Sequence, residues 1–265
     1  MGESSNIAWT DATFNPWWGC VKVSPGCTHC YAETFSKRVG QNVWGVDAPR
    51  RFFGVKHWAE PLKWSGKKVF CGSMCDWLED APGLDEQRER LFALIDVTPD
   101  VTWQLLSKRI ERYSKCVPEA WLKNGAPKNV WIGTTVEDRE RAYKRIPALI
   151  DIKAIVRFVS AEPLLEDISD TLMELRGDRI DWYIVGGESG AGARPFNPDW
   201  ARGIRDFCKS TRIEFLQESF NRVTFFMKQL GGVRDKRDKL EDLPDDLRVR
   251  NFPREKFSRY MRVTC

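Results

Sequence analysis

Residues 67–73, Lys-Lys-Val-Phe-Cys-Gly-Ser, begin a pattern that recurs along most of the chain. Val69–Cys71 is a short apolar run between lysines and a glycine, which is typical of a buried strand. Residues 85–97 follow, with Leu91, Leu94 and Ile95 at helical spacing and charged residues between them. A buried strand followed by an amphipathic helix is the repeating unit of a parallel α/β sheet.

The same unit recurs on both sides of this stretch. Further strands are predicted over residues 7–10, 101–106, 129–134, 154–160, 180–186 and 213–217. Further helices are predicted over residues 31–39, 109–116, 136–150, 165–175 and 198–209, the last with Asn197 as its N-cap. The connections are short enough for parallel pairing. They predict an α/β fold of six to seven strands, either a β/α barrel or a doubly wound sheet.

Four stretches do not follow the strand–helix pattern. Residues 11–30 are predicted to be a long loop, and residues 40–66 an irregular excursion in which Arg50-Arg51 is an anion contact or a solvated pair. Residues 218–230 are compatible with a strand or a helix. The charge-rich residues 231–265 predict a small C-terminal cap or tail on a domain of residues 1–230.

Composition restricts the class of protein. The 265 residues include eight cysteines, twelve tryptophans and two histidines, with a net charge of +4. Clustered cysteines favour metal binding in a reducing cytoplasm over disulfides. With only two histidines, a hydrolase triad is hard to assemble. The N-terminal residues lack the apolar run of a signal peptide, and no membrane span is predicted. The tryptophans near residues 17–64 are either platforms for bases or core packing.

The most distinctive motif is Gly19–Tyr31, with cysteines at positions 20, 27 and 30 in the spacing C-x6-C-x2-C. Three thiolates on a cubane iron–sulfur cluster would leave one iron without a protein ligand. A structural zinc site needs a fourth ligand. Candidates for that ligand are His29, Cys71, Cys75, Cys116 and Cys208. The remaining alternative is three reduced, buried thiols.

Polar residues follow the ends of the predicted strands, where the active site of a β/α barrel lies. They include Asp11, Ser73, Lys108, Arg109, Thr134, Ser160, Glu162, Gly187 and Glu188. Six polar strand ends in register indicate a lined pocket. Lys108 and Arg109 suit a carboxylate or phosphate, or are helix-surface charges. Gly186-Gly187-Glu188 allows a ligand close to the backbone and offers an acceptor for an ammonium group, or is merely a turn.

Residues 9–20, 24–27 and 30–33 resemble a phage- and prophage-associated three-Cys-motif family, a domain of unknown function. The resemblance continues at residues 73–74, 106–109, 130–133, 157–164, 186–190 and 226–229, so it covers nearly the whole chain. That family looks like a divergent branch of the radical SAM superfamily, whose enzymes use S-adenosylmethionine (SAM). The first gap of the cysteine motif is three residues longer than in the commonest radical SAM pattern, C-x3-C-x2-C.

The resemblance implies an open or partial β/α barrel, related to the TIM barrel, and a cytoplasmic enzyme. Cys20, Cys27 and Cys30 would bind a [4Fe–4S] cluster, and reductive cleavage of SAM would abstract hydrogen from a substrate. Phage association and the aromatic and basic residues near the motif suggest a nucleobase, nucleotide or nucleic acid. Implied partners are an electron donor such as flavodoxin or ferredoxin and a phage-encoded protein.

The implied SAM site uses residues from several strand ends. Glu162 or Glu188, with Ser160, Ser73 and Gly187 nearby, would take the ammonium group or the ribose; Lys108 or Arg109 would take the carboxylate; and Tyr31 would lie by the adenine. Cys75 would donate a hydrogen atom, as in DNA-repair lyases of the superfamily, or is a buried small residue. Gly186-Gly187-Glu188 resembles the Gly-Gly-Glu of radical SAM enzymes but follows the sixth strand instead of the second.

An alternative belongs to another class. The chain would then be a nucleic-acid-binding protein with a structural zinc or iron–sulfur site, acting beside a partner protein without catalysis of its own.

Overall fold

Strands and helices alternate along most of the chain, as the sequence pattern predicts. The computed structural model describes residues 2–215 and 218–253. The strands are β1 (Ala12–Phe14), β2 (Trp17–Trp18), β3 (Arg51–Phe52), β4 (Lys68–Cys71), β5 (Thr102–Ser107), β6 (Val130–Thr135), β7 (Val156–Ala161), β8 (Trp182–Gly186), β9 (Arg212–Phe215), β10 (Glu218–Asn221) and β11 (Thr224–Gln229). The α-helices are α1 (Tyr31–Arg38), α2 (Val55–Ala59), α3 (Leu84–Asp96), α4 (Tyr113–Cys116), α5 (Glu119–Asn124), α6 (Arg139–Ile150), α7 (Ser169–Glu174) and α8 (Pro198–Ser210). None of these described helices has the length and apolar character needed to span a bilayer.

Seven of the described strands form one sheet, in the order β1-β4-β5-β6-β7-β8-β11. The pairs β1–β4, β4–β5, β7–β8 and β8–β11 are parallel. The α/β fold with a partial parallel barrel is therefore confirmed. The strands follow one another in chain order without the reversal that defines a doubly wound sheet, so that alternative is excluded.

The first compact unit comprises Met1–Gly133 and Ile152–Ile155. Strand β4 lies between β1 and β5, and its residues from Val69 onward are buried. Helix α3 buries Leu91 and Ile95, at the spacing that the sequence predicts.

The first strand of the sheet lies later than predicted. Residues 7–10 are not a strand, and β1 lies within the predicted loop 11–30. Thr10 explains the difference, because its side chain takes hydrogen bonds that a strand backbone would make. Its Oγ1 donates to the carbonyl of Lys68 (3.0 Å) and accepts from the amide of Phe70 (3.0 Å).

The predicted irregular excursion contributes one strand, β3, to a short antiparallel ribbon. Strands β2 and β3 pair with Trp17 opposite Phe52 and Trp18 opposite Arg51. Strand β2 directly precedes the cysteine motif in the chain, and β3 follows it.

The second compact unit comprises Thr134–Asp151 and Val156–Cys265. Strand β8 lies between β7 and β11 and is fully buried. Helix α8 begins as predicted. The side chain of Asn197 accepts from the amide of Asp199 (3.0 Å), and Pro198 is the first helical residue.

The last strand of the sheet is β11, which settles the ambiguous stretch in favour of strands. The predicted strand 213–217 is present as β9, but it pairs antiparallel with β10 in a separate two-stranded sheet. Residues 216 and 217 lie outside the described residues. The segment after residue 230 packs on β11, where Met227 donates to the carbonyl of Val249 (2.8 Å). The predicted domain boundary at residue 230 stays a prediction.

Candidate functional site

The Cys loop, residues 19–31, is fixed at both ends. The amide of Gly19 donates to the carbonyl of Met74 (3.0 Å), just beyond β4. Gly19 has φ +116°, and a Cβ there would lie 2.3 Å from the carbonyl oxygen of Val43, so only glycine fits. At the other end, Cys30 is the N-cap residue of α1. Between them Pro25–Cys27 forms a single 3₁₀ turn.

A buried charge network lies against the first half of this loop. Arg109 Nη1 donates to Asp76 Oδ2 (2.8 Å), and Arg50 Nη2 donates to Glu79 Oε1 (2.8 Å). Arg109 Nη2 lies 3.7 Å from Glu79 Oε1, which joins the two pairs. The four side chains are at most 9% exposed. Charges buried this deeply are tolerated when they are paired and hydrogen-bonded.

The network holds the backbone and the first thiol of the Cys loop. Glu79 Oε1 accepts from the amide of Val21 (2.9 Å), and Arg109 Nη2 donates to the carbonyl of the same residue (2.8 Å). Arg109 Nη1 also lies 3.5 Å from Cys20 Sγ. Asp76 accepts from the amide of Lys108 (2.9 Å), directly after β5. Cys20 is therefore tied to the carboxyl ends of β4 and β5.

Burial keeps two of the loop thiols protonated in the metal-free chain. It raises the pKa of Cys20 to about 12, with the Asp76 carboxylate acting in the same direction and Arg109 opposing it. Burial also raises the pKa of Cys30, and the charge of Lys108 opposes that shift. A metal would have to displace these protons, and the neighbouring cations would stabilise the resulting thiolates.

The chemistry of the three thiols fits an iron–sulfur cluster, whose irons take cysteine thiolates as ligands. In the described residues, no group of three or more His, Cys, Asp or Glu side chains is gathered so that it could hold a metal ion. Both the cluster and the zinc alternative therefore stay predictions.

A second group of predicted residues meets at the end of β4 around Asn15. Asn15 Nδ2 donates to Ser73 Oγ (2.9 Å), and its Oδ1 accepts from the amide of Met74 (2.7 Å). Tyr31 donates its hydroxyl proton to the carbonyl of Ser73 (2.8 Å). The thiol of Cys75 lies 3.9 Å from Asn15 Oδ1. Burial raises the pKa of Cys75 well above its ordinary value, so it is a neutral thiol.

A cavity of about 310 Å³ adjoins this group. Its lining combines small polar side chains with two aromatic rings: Ser4, Ser5, Asn6, Ile7, Thr13, Tyr31, Phe35, Ser73 and Met74. Its volume lies at the lower end of the range for small-molecule sites. The cavity places polar donors and acceptors beside a flat ring, which suits a heterocyclic ligand.

In the second unit, each predicted carboxylate already has a cation. Arg194 binds Glu188 with two nitrogens, Nε to Oε2 (2.8 Å) and Nη2 to Oε1 (2.6 Å). Lys228 Nζ forms an ion pair with Glu162. A ligand ammonium at either carboxylate would have to compete with these cations. The SAM contacts of Glu162 and Glu188 stay predictions.

The glycine before Glu188 is explained by packing within the protein. A Cβ on Gly187 would lie 2.1 Å from the carbonyl oxygen of Leu230. Gly187 also donates to the carbonyl of Gln229 (3.1 Å), and so lies close against the end of β11. Ser160 is buried at the end of β7, where its carbonyl accepts from Val136 (3.0 Å).

Two groups of predicted residues are thus assembled in the first unit. One joins Cys20, Lys108 and Arg109 through Asp76, and the other joins Tyr31, Ser73 and Cys75 through Asn15. The predicted meeting of both groups with Glu162 and Glu188 stays a prediction. So do the metal-binding roles of the three cysteines.

The residues that hold the candidate site in place were not predicted from the sequence. Arg50 is neither an anion contact nor a solvated charge, because it is buried against Glu79. Asn15 and Glu79 lie in stretches without helical or strand period, so no pattern indicated their burial. The available signal was the position of Asn15 next to the cysteine motif, between Phe14 and Pro16.

Comparison with known proteins gives a family but no activity. A family model described as a protein of unknown function (DUF5131) matches residues 4–248. No curated protein and no solved structure matches the chain.

Proposed function

The chain belongs to the DUF5131 family of proteins of unknown function, and we propose that it is a radical SAM-like iron–sulfur enzyme. Cys20, Cys27 and Cys30 would hold a [4Fe–4S] cluster. A bound cluster, re-reduced by an external electron carrier, would supply one electron for cleavage of a carbon–sulfur bond of SAM to methionine and a 5′-deoxyadenosyl radical, and that radical would take a hydrogen atom from the substrate.

The observation that carries the proposal is the position of the Cys loop. It begins beside the carboxyl ends of β4 and β5 and is held there by Arg109 and Glu79. In β/α barrels this end of the strands carries the active site. Two buried ion pairs are not needed merely to connect a strand to a helix. They are needed when the loop must hold a thiol in one fixed position.

The chain's own residues have separate tasks in this proposal. Arg109 donates to Cys20 Sγ and balances the negative charge of a ligated sulfur, a contact that tunes reduction potential. Tyr31 and Ser73 shape the cavity beside the loop, and their mutual hydrogen bond fixes the ring. Cys75 keeps a hydrogen on Sγ, because its pKa is raised by burial, and a neutral thiol is the form that can donate a hydrogen atom.

The proposal also includes partners and location. An electron must come from a carrier such as flavodoxin or ferredoxin, and a cluster of this kind requires the reducing cytoplasm. Phage association and a phage-encoded partner protein belong to the same proposal and rest on the sequence resemblance alone.

Metal and SAM analysis of anaerobically purified protein tests the proposal. We expect brown protein containing iron and acid-labile sulfide that cleaves SAM on reduction. Replacing Cys20, Cys27 or Cys30 with Ala should abolish iron and sulfide incorporation, because each loss leaves an iron uncovered. Cys116→Ser is the matched control, since its thiol is also half-buried, and it should retain full iron content.

Two results would contradict the proposal. Single variants of the three cysteines that retain iron and sulfide would remove them as ligands. Colourless wild-type protein with one zinc and no SAM binding would favour the nucleic-acid-binding alternative.

A further inference from the structure

A compact aromatic and cationic surface lies next to the Cys loop. The aromatic platform is defined here as Trp18, Phe35, Arg51 and Phe53. The indole of Trp18 lies 6.0 Å from the ring of Phe35 and 5.9 Å from that of Phe53. The guanidinium of Arg51 lies over both Trp18 (4.9 Å) and Phe53 (5.4 Å). These contacts hold three rings and one cation as a single group.

Part of the platform faces solvent. Phe35 is 38% exposed and Arg51 is also exposed, whereas Trp18 and Phe53 are half-buried. Because side chains alternate between the two faces of a strand, Arg51 and its neighbour Phe52 in β3 lie on opposite faces of the ribbon. Arg51 pairs with Trp18, whereas Phe52 pairs with the fully buried Trp17 and so lies on the opposite face of the ribbon.

Positive charge is concentrated in the stretch of sequence that contributes Phe35, Arg51 and Phe53 to the platform. Residues 35–68 contain eight Lys or Arg and two Asp or Glu, a net charge of +6, whereas the whole chain is +4. Four of these cations are exposed and have no ion pair within the part of the chain that the structure describes: Arg38, Arg51, Lys56 and Lys63. Such a surface attracts a polyanion.

The platform also connects to the candidate site. Trp18 directly precedes the Cys loop, and Phe35 lies on α1, one turn beyond Tyr31. Phe35 belongs to both surfaces, because its ring contacts Trp18 and also lines the cavity with Tyr31 and Ser73. A ligand stacked on the platform is therefore next to the cavity.

We propose that the aromatic platform binds a single-stranded polynucleotide and leads one base into the cavity beside the Cys loop. This deepens the proposed function, on which it rests, by naming the substrate class. The exposed ring of Phe35 offers a face for stacking on a base, and the exposed cations of this segment contact phosphates. A duplex hides its base faces and offers the rings nothing to stack on. The charge excess makes an apolar partner or a second basic copy of this chain a poor match.

Fluorescence anisotropy with the full-length, anaerobically purified chain tests the proposal. The probes are labelled oligothymidylate and oligouridylate of about 12 nucleotides, with a duplex and heparin as competitors. We expect both single strands to bind, the duplex and heparin to compete poorly, and Phe35→Ala to weaken binding by about 5- to 150-fold. Phe35→Trp keeps a stacking ring and should bind like wild type.

A matched control separates stacking from general disruption. Phe52→Ala removes an exposed ring from the other face of the same strand and should leave affinity unchanged.

A second pair of variants tests the cation. Arg51→Gln should reduce the slope of log affinity against log salt by about 0.7, the value for one phosphate contact on a single strand. Lys123→Gln, an exposed lysine on α5, should not change that slope.

Each remaining outcome overturns the proposal in a different way. Equal competition by heparin or duplex would mean unspecific polyanion binding, and Phe35-dependent dimerisation in sedimentation would mean a self-association surface. Iron, sulfide and SAM cleavage are measured on the same preparations. A cluster-bearing, SAM-cleaving protein without single-strand binding refutes only the platform. A colourless protein that binds the single strand would refute the proposal that the strand is the substrate of a radical reaction.

Discussion

His57 lies in an aromatic pocket of the first unit. Its ring stacks on Phe14 at 4.7 Å and lies 4.3 Å from the ring of Phe53. Its Nε2 lies 2.9 Å from the carbonyl oxygen of Asn15, which requires the proton to be on that nitrogen. Burial lowers the pKa of His57 below its ordinary value, although this hydrogen bond opposes the shift.

This histidine should make stability depend on pH. Its pKa is lower in the folded chain than in the unfolded chain, so the unfolded state binds the proton first as pH falls. Stability is therefore unaffected above the unfolded value of about 6.5 and decreases below it. Urea unfolding of the metal-free chain at about pH 7.5 and 5.5, above the range of ordinary carboxylates, should show this loss. In His57→Gln, which can still donate to Asn15, the loss should be smaller. An unchanged loss in that variant would assign it to other groups.

At the scale of single residues, the sequence marked the candidate site residues but not the buried residues that hold them in place. The three cysteines, Ser73 and Arg109 were identifiable because motifs and strand ends mark such positions. Glu79 was not, because a lone glutamate in an aperiodic stretch reads as a surface charge. Only the close approach of Arg50 and Arg109 makes its burial favourable, and that approach depends on contacts between segments distant in sequence.

Among the secondary-structure elements, α8 offers a direct test of a feature that the sequence predicted. Asn197 is exposed, and its side chain accepts from the amide of Asp199 (3.0 Å). Asn197→Ala removes the acceptor and leaves an amide of the first turn without it. The variant should lose about 1 kcal/mol of unfolding free energy, measured by urea denaturation. Asn197→Asp keeps an acceptor and should remain close to wild type. Equal losses in both variants would show that the cap is not responsible.

Element prediction succeeded where the period was clear and failed where it was not. Helix α3 shows a regular apolar face, and its predicted bounds differ from the observed ones by one residue at each end. Strand β1 has only three residues, and Thr10 takes over bonds of the backbone beside it. In β11, consecutive residues Phe225–Met227 are all buried, so no alternation distinguished the strand from a buried helix.

Over the whole chain, cysteine is distributed between two kinds of environment. Among the described residues all seven cysteines are free thiols. Cys20, Cys30 and Cys116 are half-buried, whereas Cys27, Cys71, Cys75 and Cys208 are buried. The composition predicted reduced thiols, but only the packing separates the accessible ones from the rest.

Thiol labelling should report this division and its change on cluster binding. Cys265→Ser removes the thiol that lies outside the described residues. In the metal-free form of that variant, we expect Cys30 and Cys116 to react first with a chromogenic disulfide. Cys20 should react later, because its raised pKa leaves little thiolate, and the four buried thiols should react fully only in denaturant. In the cluster-loaded form, ligation should protect Cys20 and Cys30, because a sulfur bound to iron is not a free nucleophile. Cys116 alone should then react early. Early labelling of Cys30 in iron-containing protein would mean that the iron is held elsewhere.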